Sequence, residues 1–176
     1  MMYLPSADGV THINIYTKGA TKLGRLLTNL ADTPVTIDFE GTEFHFKSLE
    51  GFWYFYVMWK HTKEEYEEFC NYTGFEAKKI GKQYVEELDI DTITITSRKA
   101  FKKRFSEAIK SKLRQNRKEI FPLLAASELP FAHYYYFGDI KNPKVQALPH
   151  HDWQLEVFEE ARASLKKYLK EKNNES

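Results

Sequence analysis

The sequence predicts a mainly helical α+β fold in a single domain, with a short β-hairpin or small sheet packed against several helices. A chain of 176 residues suits one domain with its own core. Apolar residues recur at helical spacing in several segments, while two alternating runs flank a glycine-containing turn. The 42% hydrophobic and 29% charged shares are typical of globular proteins, but 15% aromatic exceeds what packing alone usually requires. The rings therefore need an explanation.

The first strand signals come before residue 50. Alternation around Ile13 and Ile15 predicts a short strand, and glycines at 19 and 24 indicate a loop after it. Residues 35–39 and 42–46 alternate on either side of Glu40-Gly41, which predicts a β-hairpin with a tight turn.

Helix signals dominate the middle of the chain. Ser48 is placed to cap a helix beginning at Leu49, and its apolar residues point in all directions, so we expect burial on most sides. We also predict a charged helix over 63–69 and a further helix from Gly74 to about Glu87.

The second half adds a strand, a long helix and a tail. Alternating Thr and Ile favour a strand over 91–96, and a four-residue apolar repeat predicts a basic helix over 98–118. Residues 129–139 indicate a strand ending in a Gly-Asp turn, and a loop with two prolines follows. An amphipathic helix begins at Asp152, and 171–176 is a polar tail expected to fray.

Composition limits the class of protein. A lone cysteine, Cys70, excludes an internal disulfide framework and a cysteine-rich zinc site. The longest apolar run, 52–59, is far shorter than the roughly 20 residues that cross a bilayer. With no leader pattern at the amino end, we expect a soluble protein of the reducing cytoplasm.

The net charge of +1 conceals a basic segment. Residues 98–118 contain ten Lys or Arg and one acid, Glu107. Such a helix could contact a phosphate backbone, or it could be a solubilising surface balanced by the acidic residues of 64–68. The sequence leaves both interpretations open.

The strongest candidate for chemistry is Glu50, in the first turn of the aromatic helix. Burial by rings would raise its pKa and suit it to proton transfer, whereas the helix amino end would lower it. First-turn acids commonly just complement the helix dipole, and Phe52, Trp53 and Trp59 are more often core than ligand platform. His150-His151 is a poor metal motif, since adjacent residues seldom converge on one ion. We predict no metal and no other cofactor.

Several segments in succession resemble the NADAR (YbiA-like) family. Residues 23–30 are similar to its Gly-x-Leu-Ser-Asn-Phe-like loop, and Ser48-Leu49-Glu50-Gly51-Phe52 to its Ser-Met-Glu-Gly-Phe helix start. Residues 73–81 resemble its Ala-x-x-x-Gly helix, 101–116 its Lys-Phe-x-Gln-Asn helix, and 130–139 the segment that ends in a late acid. The resemblance covers about 13–165.

This resemblance implies cleavage of an N-glycosidic bond, in a riboflavin-pathway ribosylamine phosphate or in ADP-ribose attached to guanine. It matches Glu50 to the catalytic glutamate, Asn29 to the loop asparagine and Asp139 to the late aspartate. A carboxylate beside the anomeric carbon would stabilise positive charge or activate water. Either Asp139 or His133 is our candidate for helping the base leave.

Substrate-binding candidates accompany these residues. Gly24 and Arg25 lie in the 23–30 segment that resembles the family's loop, and the resemblance implies that they bind substrate. The family's Gln and Lys after the glutamate are replaced here by Tyr54 and Val57, with Lys60 one turn later. Trp53 or Tyr54 could supply a stacking surface for a base, although either ring could equally be core.

These features lead to hypotheses of different classes. The first is an N-glycosyl hydrolase acting on a ribosylated base, preferably ADP-ribosyl-guanine in nucleic acid, with residues 98–118 contacting the backbone. The nearest variant is a ribosylaminouracil-phosphate N-glycosidase. The others are a module that binds ADP-ribose or a nucleotide without turning it over, and a partner-binding protein whose aromatic helix is only core.

Overall fold

The computed structural model describes residues 3–175, which form seven α-helices and six short strands. The helices are α1 (Lys22–Leu27), α2 (Leu49–Thr62), α3 (Gly74–Glu87), α4 (Thr92–Thr96), α5 (Lys99–Gln115), α6 (Arg117–Ala126) and α7 (Asp152–Asn174). The strands are β1 (Ile13–Asn14), β2 (Val35–Phe39), β3 (Thr42–Phe46), β4 (Phe131–Ala132), β5 (Tyr134–Phe137) and β6 (Lys144–Ala147). The predicted fold class, mainly helical α+β with a hairpin beside helices, is confirmed. None of the helices in residues 3–175 combines the length and apolar character needed to cross a bilayer.

Contacts within the chain cluster in two compact units. The central unit is residues 29–116, and the terminal unit joins residues 3–28 to 117–175. That all 176 residues act as one domain stays a prediction.

The hairpin of the central unit has the predicted boundaries. β2 and β3 pair antiparallel from Val35 with Phe46 to Phe39 with Thr42. Glu40 and Gly41 both have positive φ, 50° and 81°, as a two-residue turn with the twist of a hairpin requires.

α2 lies on the hairpin within a cluster of rings. It begins at Leu49, as predicted, and Phe52 and Phe55 are fully buried. Phe39 meets Phe55 edge to face at 5.3 Å between ring centroids, and Phe52 stacks on Phe105 of α5 at 6.2 Å. Aromatic pairs in these geometries add to ordinary area burial. The unusual aromatic content is therefore largely core.

α3 packs closely on α2 because small residues face it. Its predicted range is confirmed, and Thr73 and Glu76 form a capping box at its start. A Cβ on Gly81 would lie 2.2 Å from the Tyr54 ring, and one on Gly74 would lie 2.2 Å from the carbonyl oxygen of Leu30. Only glycine fits at such approaches.

Two predictions in the central unit were wrong. The charged stretch 63–69 is not a helix, because Lys63 takes a left-handed conformation that ends α2, leaving only a 3-10 turn over Glu67–Cys70. The predicted strand over 91–96 is the helix α4. Asp91 caps it by accepting from the Thr94 backbone N–H and hydroxyl, at 3.0 and 2.6 Å. That local cap overrides the β-propensity of Thr and Ile.

The predicted basic helix is α5 over Lys99–Gln115, with its apolar repeat turned inward, whereas Arg117 and Lys118 of the predicted range begin α6. Phe101, Phe105, Ile109 and Leu113 are all buried. Lys112 is also fully buried, and this burial lowers its pKa to about 7.

The terminal unit is held by a parallel strand pair and buried polar bonds. β1 pairs with β4, Ile13 opposite Phe131. Asn14 bonds both backbone groups of Tyr134: its Oδ1 accepts from the N–H and its Nδ2 donates to the carbonyl oxygen, each at 3.1 Å. Asp8 accepts from the backbone N–H groups of Asn14 and Ala20 at 2.9 and 2.7 Å.

Secondary structure of the terminal unit differs from expectation in three places. The loop predicted around Gly24 contains α1, in which a Cβ at Gly24 would lie 2.3 Å from the Asn14 carbonyl oxygen. The predicted proline loop contains β6, which pairs with β5 in a second hairpin. α7 continues to Asn174, through most of the predicted tail. Ser176 lies outside the described residues.

Candidate functional site

Glu50 is half-buried in the first turn of α2. The preceding Ser48 caps the helix, with its Oγ accepting from the Gly51 N–H at 3.2 Å. The Glu50 N–H donates to the Asn29 carbonyl oxygen at 2.8 Å. Asn29 and Glu50, both predicted site residues, are thus brought together through the backbone.

The carboxyl of Glu50 is the most chemically informative group in the central unit. Burial raises its pKa to about 7, and the positive charges of Lys78 and Lys82 oppose that rise. Of the two effects that the sequence left open, desolvation is the one that governs the shift. A carboxyl with this pKa populates both protonation states near neutrality, so it can accept or donate a proton.

Lys78 and Lys82 were missed by sequence reasoning. They lie four residues apart on α3, so they share one flank of that helix. The available signal was the spacing of Gly74, Ala77 and Gly81, which predicts a close-packed face and so places its flanking lysines near α2.

The rings proposed for base stacking are engaged in the core. Tyr54 is 7% exposed and is covered by Gly81 and by Phe69, whose ring is stacked on it at 6.0 Å. Trp53 is half-buried and meets Phe101 and Phe105 edge to face at 4.8 and 5.2 Å. Tyr54 is therefore a packing residue rather than a stacking platform, which corrects that prediction.

Lys60 lies at the opposite end of α2 from Glu50. Ten residues of helix separate the two, about 15 Å at 1.5 Å per residue. The Lys60 ammonium lies 5.7 Å from the centroid of the Trp59 ring. Its role in binding substrate stays a prediction, whereas Val57 is fully buried core.

Gly24 and Arg25 have structural roles within the terminal unit. Gly24 lets α1 approach β1, as described above. Arg25 is exposed, but its guanidinium donates to the carbonyl oxygens of Gly19 and Ala20 at 2.7 and 3.0 Å. It closes the turn that precedes α1.

His133 and Asp139 lie at opposite ends of β5, His133 just before the strand and Asp139 in the turn after it. The half-buried His133 donates from Nδ1 to the Ile15 carbonyl oxygen at 2.7 Å. Asp139 is exposed in the hairpin turn, where its Oδ1 accepts from the Lys141 N–H at 3.0 Å. The strand between them spans roughly 15 Å, so they do not form one acid–base pair.

A buried histidine was also missed. His12 is fully buried, with Nε2 2.7 Å from the Tyr134 hydroxyl and Nδ1 3.0 Å from the Thr11 hydroxyl. Burial lowers the pKa of His12, while Asp8 opposes the shift. Its ring is committed to structure. Across residues 3–175 there is no group of three or more His, Cys, Asp or Glu placed to hold a metal ion.

The basic helix presents a positive outer face. Lys99, Lys103, Lys110 and Arg114 are exposed at spacings of four, seven and four residues, which keeps them on one side of α5. Arg104, on the same helix, pairs with Glu40 at 3.1 Å and with Glu107 at 3.9 Å beside an open groove of about 350 Å³ between β2 and α5. We call the four exposed residues the basic face.

Comparison of the chain with protein-family models, curated proteins and solved structures finds no match.

Proposed function

We propose that the chain is an N-glycosyl hydrolase acting on a ribosylated base, with ADP-ribosyl-guanine in nucleic acid as the preferred substrate. The observation that carries this proposal is the half-buried carboxyl of Glu50, which has a pKa of about 7 and lies within electrostatic reach of Lys78 and Lys82. The resemblance of residues 48–52 to the NADAR helix start supports it.

Glu50 suits this reaction because cleavage of a ribosyl C–N bond builds positive charge on the sugar. Its carboxylate stabilises that charge and accepts a proton from the attacking water. The water oxygen bonds to the anomeric carbon, the C–N bond breaks, and its electron pair goes to the base nitrogen, which takes up a proton. That proton is the one Glu50 took from the water, passed on directly or through solvent, and its release restores the carboxylate.

The basic face supports a nucleic-acid-borne substrate. Its four charges extend about 22 Å along α5 at 1.5 Å per residue, enough to follow several phosphates. Removing one such charge should weaken oligonucleotide binding about equally for all sequences and reduce the salt slope by about one unit.

Release of ADP-ribose from an oligonucleotide carrying ADP-ribosyl-guanine tests the proposal. We expect the wild-type chain to release ADP-ribose, and Glu50→Gln to lower kcat/KM by about 10³-fold or more. Glu65→Gln, at an exposed acid of the same unit, is the matched control and should leave kcat/KM unchanged. Because the carboxylate is the working form, kcat/KM should rise with pH and level off above about 7. Full activity in Glu50→Gln would remove this mechanism.

The riboflavin-pathway variant uses the same Glu50 chemistry but predicts no salt-dependent binding of DNA. Parallel assays with ribosylaminouracil phosphate and with the oligonucleotide, each over a range of salt, separate the two. Binding of ADP-ribose in calorimetry without any product would instead identify a non-catalytic module.

A further inference from the structure

The packing of α3 on α2 fixes which side chains lie beside Glu50. At one end of the contact, Gly74 touches the Leu30 backbone, next to the Asn29 carbonyl that bonds the Glu50 N–H. At the other end, Gly81 covers the ring of Tyr54, one turn along α2 from Glu50. Lys78 lies between these two points on α3, and it therefore emerges at the edge of the contact beside Glu50.

Lys78 belongs to a stripe with two further side chains. Phe75 is three residues before it and Lys82 four residues after it, so the three are neighbours on the helix surface. Lys82 is exposed, and Phe75 is 64% exposed, which is unusual for so large an apolar side chain. We call Phe75, Lys78 and Lys82 the α3 stripe.

The chemistry of the α3 stripe matches that of a nucleotide. Two ammonium groups about one helical turn apart can both reach the oxygens of one phosphate or of a diphosphate. An exposed ring offers a face on which any base can stack, whereas the rings of α2 are occupied in the core. The charges of Lys78 and Lys82 also act on the Glu50 carboxyl, which places stripe and acid within electrostatic reach.

We propose that the α3 stripe binds the phosphate and the base of a nucleoside phosphate, holding its ribose next to Glu50. This inference rests on the proposed function for its substrate class, and it assigns Lys78 and Lys82 to the phosphate and Phe75 to the base.

Calorimetry with ADP-ribose, ribose 5-phosphate and adenosine tests the assignment without requiring turnover. Glu50→Gln protein serves as the background, so that no ligand is consumed. Lys78→Met with Lys82→Met should weaken ADP-ribose and ribose 5-phosphate by about 100-fold, roughly tenfold for each lysine, and leave adenosine unchanged. Phe75→Ala should weaken ADP-ribose by about tenfold and leave ribose 5-phosphate unchanged.

Two controls separate a specific site from general positive charge. Lys63→Met removes the same charge from an exposed side chain of the same unit, thirteen residues after Glu50 at the carboxyl end of α2. It should change each Kd by less than twofold. Replacing both stripe lysines with Arg keeps the charge and should retain binding within a few-fold, which also shows that the surface tolerates substitution.

The outcomes distinguish this proposal from the glycosidase proposal. If Lys63→Met weakens the phosphate ligands as much as Lys78→Met does, or if neither phosphate ligand binds at millimolar concentration, the α3 stripe is not a nucleotide site. Glycosidic cleavage with unchanged binding in the double Met variant would overturn the stripe and leave the activity standing. Binding that follows the predicted pattern, with no cleavage of any ribosylated base by the wild-type chain, would support the α3 stripe and overturn the glycosidase proposal.

Discussion

The two units of this chain are stabilised by different chemistry. The central unit is packed with rings around α2. Burial there raises the pKa of Glu50 and lowers the pKa of Lys112, each to about 7. The terminal unit holds Asp8, His12 and Asn14 in a hydrogen-bonded network around Tyr134. A buried polar group that is fully bonded is structural, whereas a sheltered carboxyl at a helix start with cationic neighbours is available for chemistry.

The largest effect should come from breaking the hydrogen-bonded network of the terminal unit. Asn14→Leu leaves the buried N–H and carbonyl oxygen of Tyr134 without their side-chain partners, which should cost about 3–5 kcal/mol. Denaturant unfolding measures this loss in the free energy of unfolding. Asn173→Leu, at an exposed position of α7, is the control and should stay within about 0.5 kcal/mol. Equal losses for the two variants would mean that the network adds nothing.

Glu50→Gln should stabilise the protein at high pH while removing activity. The folded-state pKa is about 7, above the 4.5 of a free glutamate side chain, so the folded state binds more protons than the unfolded state between these values. The stability of the wild type should therefore fall as pH rises from about 4.5 to 7, by about 3 kcal/mol. Unfolding curves at pH 4 and pH 8.5 should show no gain from Glu50→Gln at the first and a gain of that size at the second. A pH-independent difference would contradict the raised pKa.

Lys112→Met should stabilise the folded protein by an amount that decreases as pH rises, the opposite of Glu50→Gln. The folded-state pKa of Lys112 is about 7, below the 10.5 of a free lysine side chain, so wild-type stability rises with pH between these values. Replacement by an apolar side chain of similar length should add about 2 kcal/mol at pH 6 and much less at pH 10. The exposed Lys110→Met is the matched control. A gain that is the same at both pH values would show that packing, not charge, is responsible.

The smallest effect tests how tightly the central unit is packed. Gly81→Ala places a methyl group into the Tyr54 ring, and the expected loss is about 1–2 kcal/mol despite the better helix propensity of Ala. In Tyr54→Leu the same change should cost less, so thermal unfolding of the four variants forms a double-mutant cycle. Additive losses would mean that the two helices have room to move apart.

Sequence alone predicts those parts of the fold that local chemistry determines. The β2–β3 hairpin follows from alternation around Glu40-Gly41, and the start of α2 follows from Ser48. The stretch 91–96 could not be assigned from propensity, because one carboxylate, Asp91, decides between strand and helix.

The site was predictable only in part for a related reason. Glu50 is recognisable from its place in an aromatic helix start, but its pKa depends on which groups pack around it. Lys78 and Lys82 become its neighbours only because α3 lies against α2, a contact between residues far apart in sequence. Tyr54 was suitable by type, but the rotation of α2 turns its ring into the core against Gly81.

The discontinuity of the terminal unit bears on how the chain folds as it leaves the ribosome. Strand β1 has to wait for β4, its partner more than a hundred residues later, whereas residues 29–116 have all their own contacts once α5 has emerged. Synthesis from the amino end therefore favours completion of the aromatic unit first, with the opening segment held unpaired until Phe131 and Ala132 appear. Any delay between these events leaves Ile13 and Ile15 exposed to chaperones or to other chains.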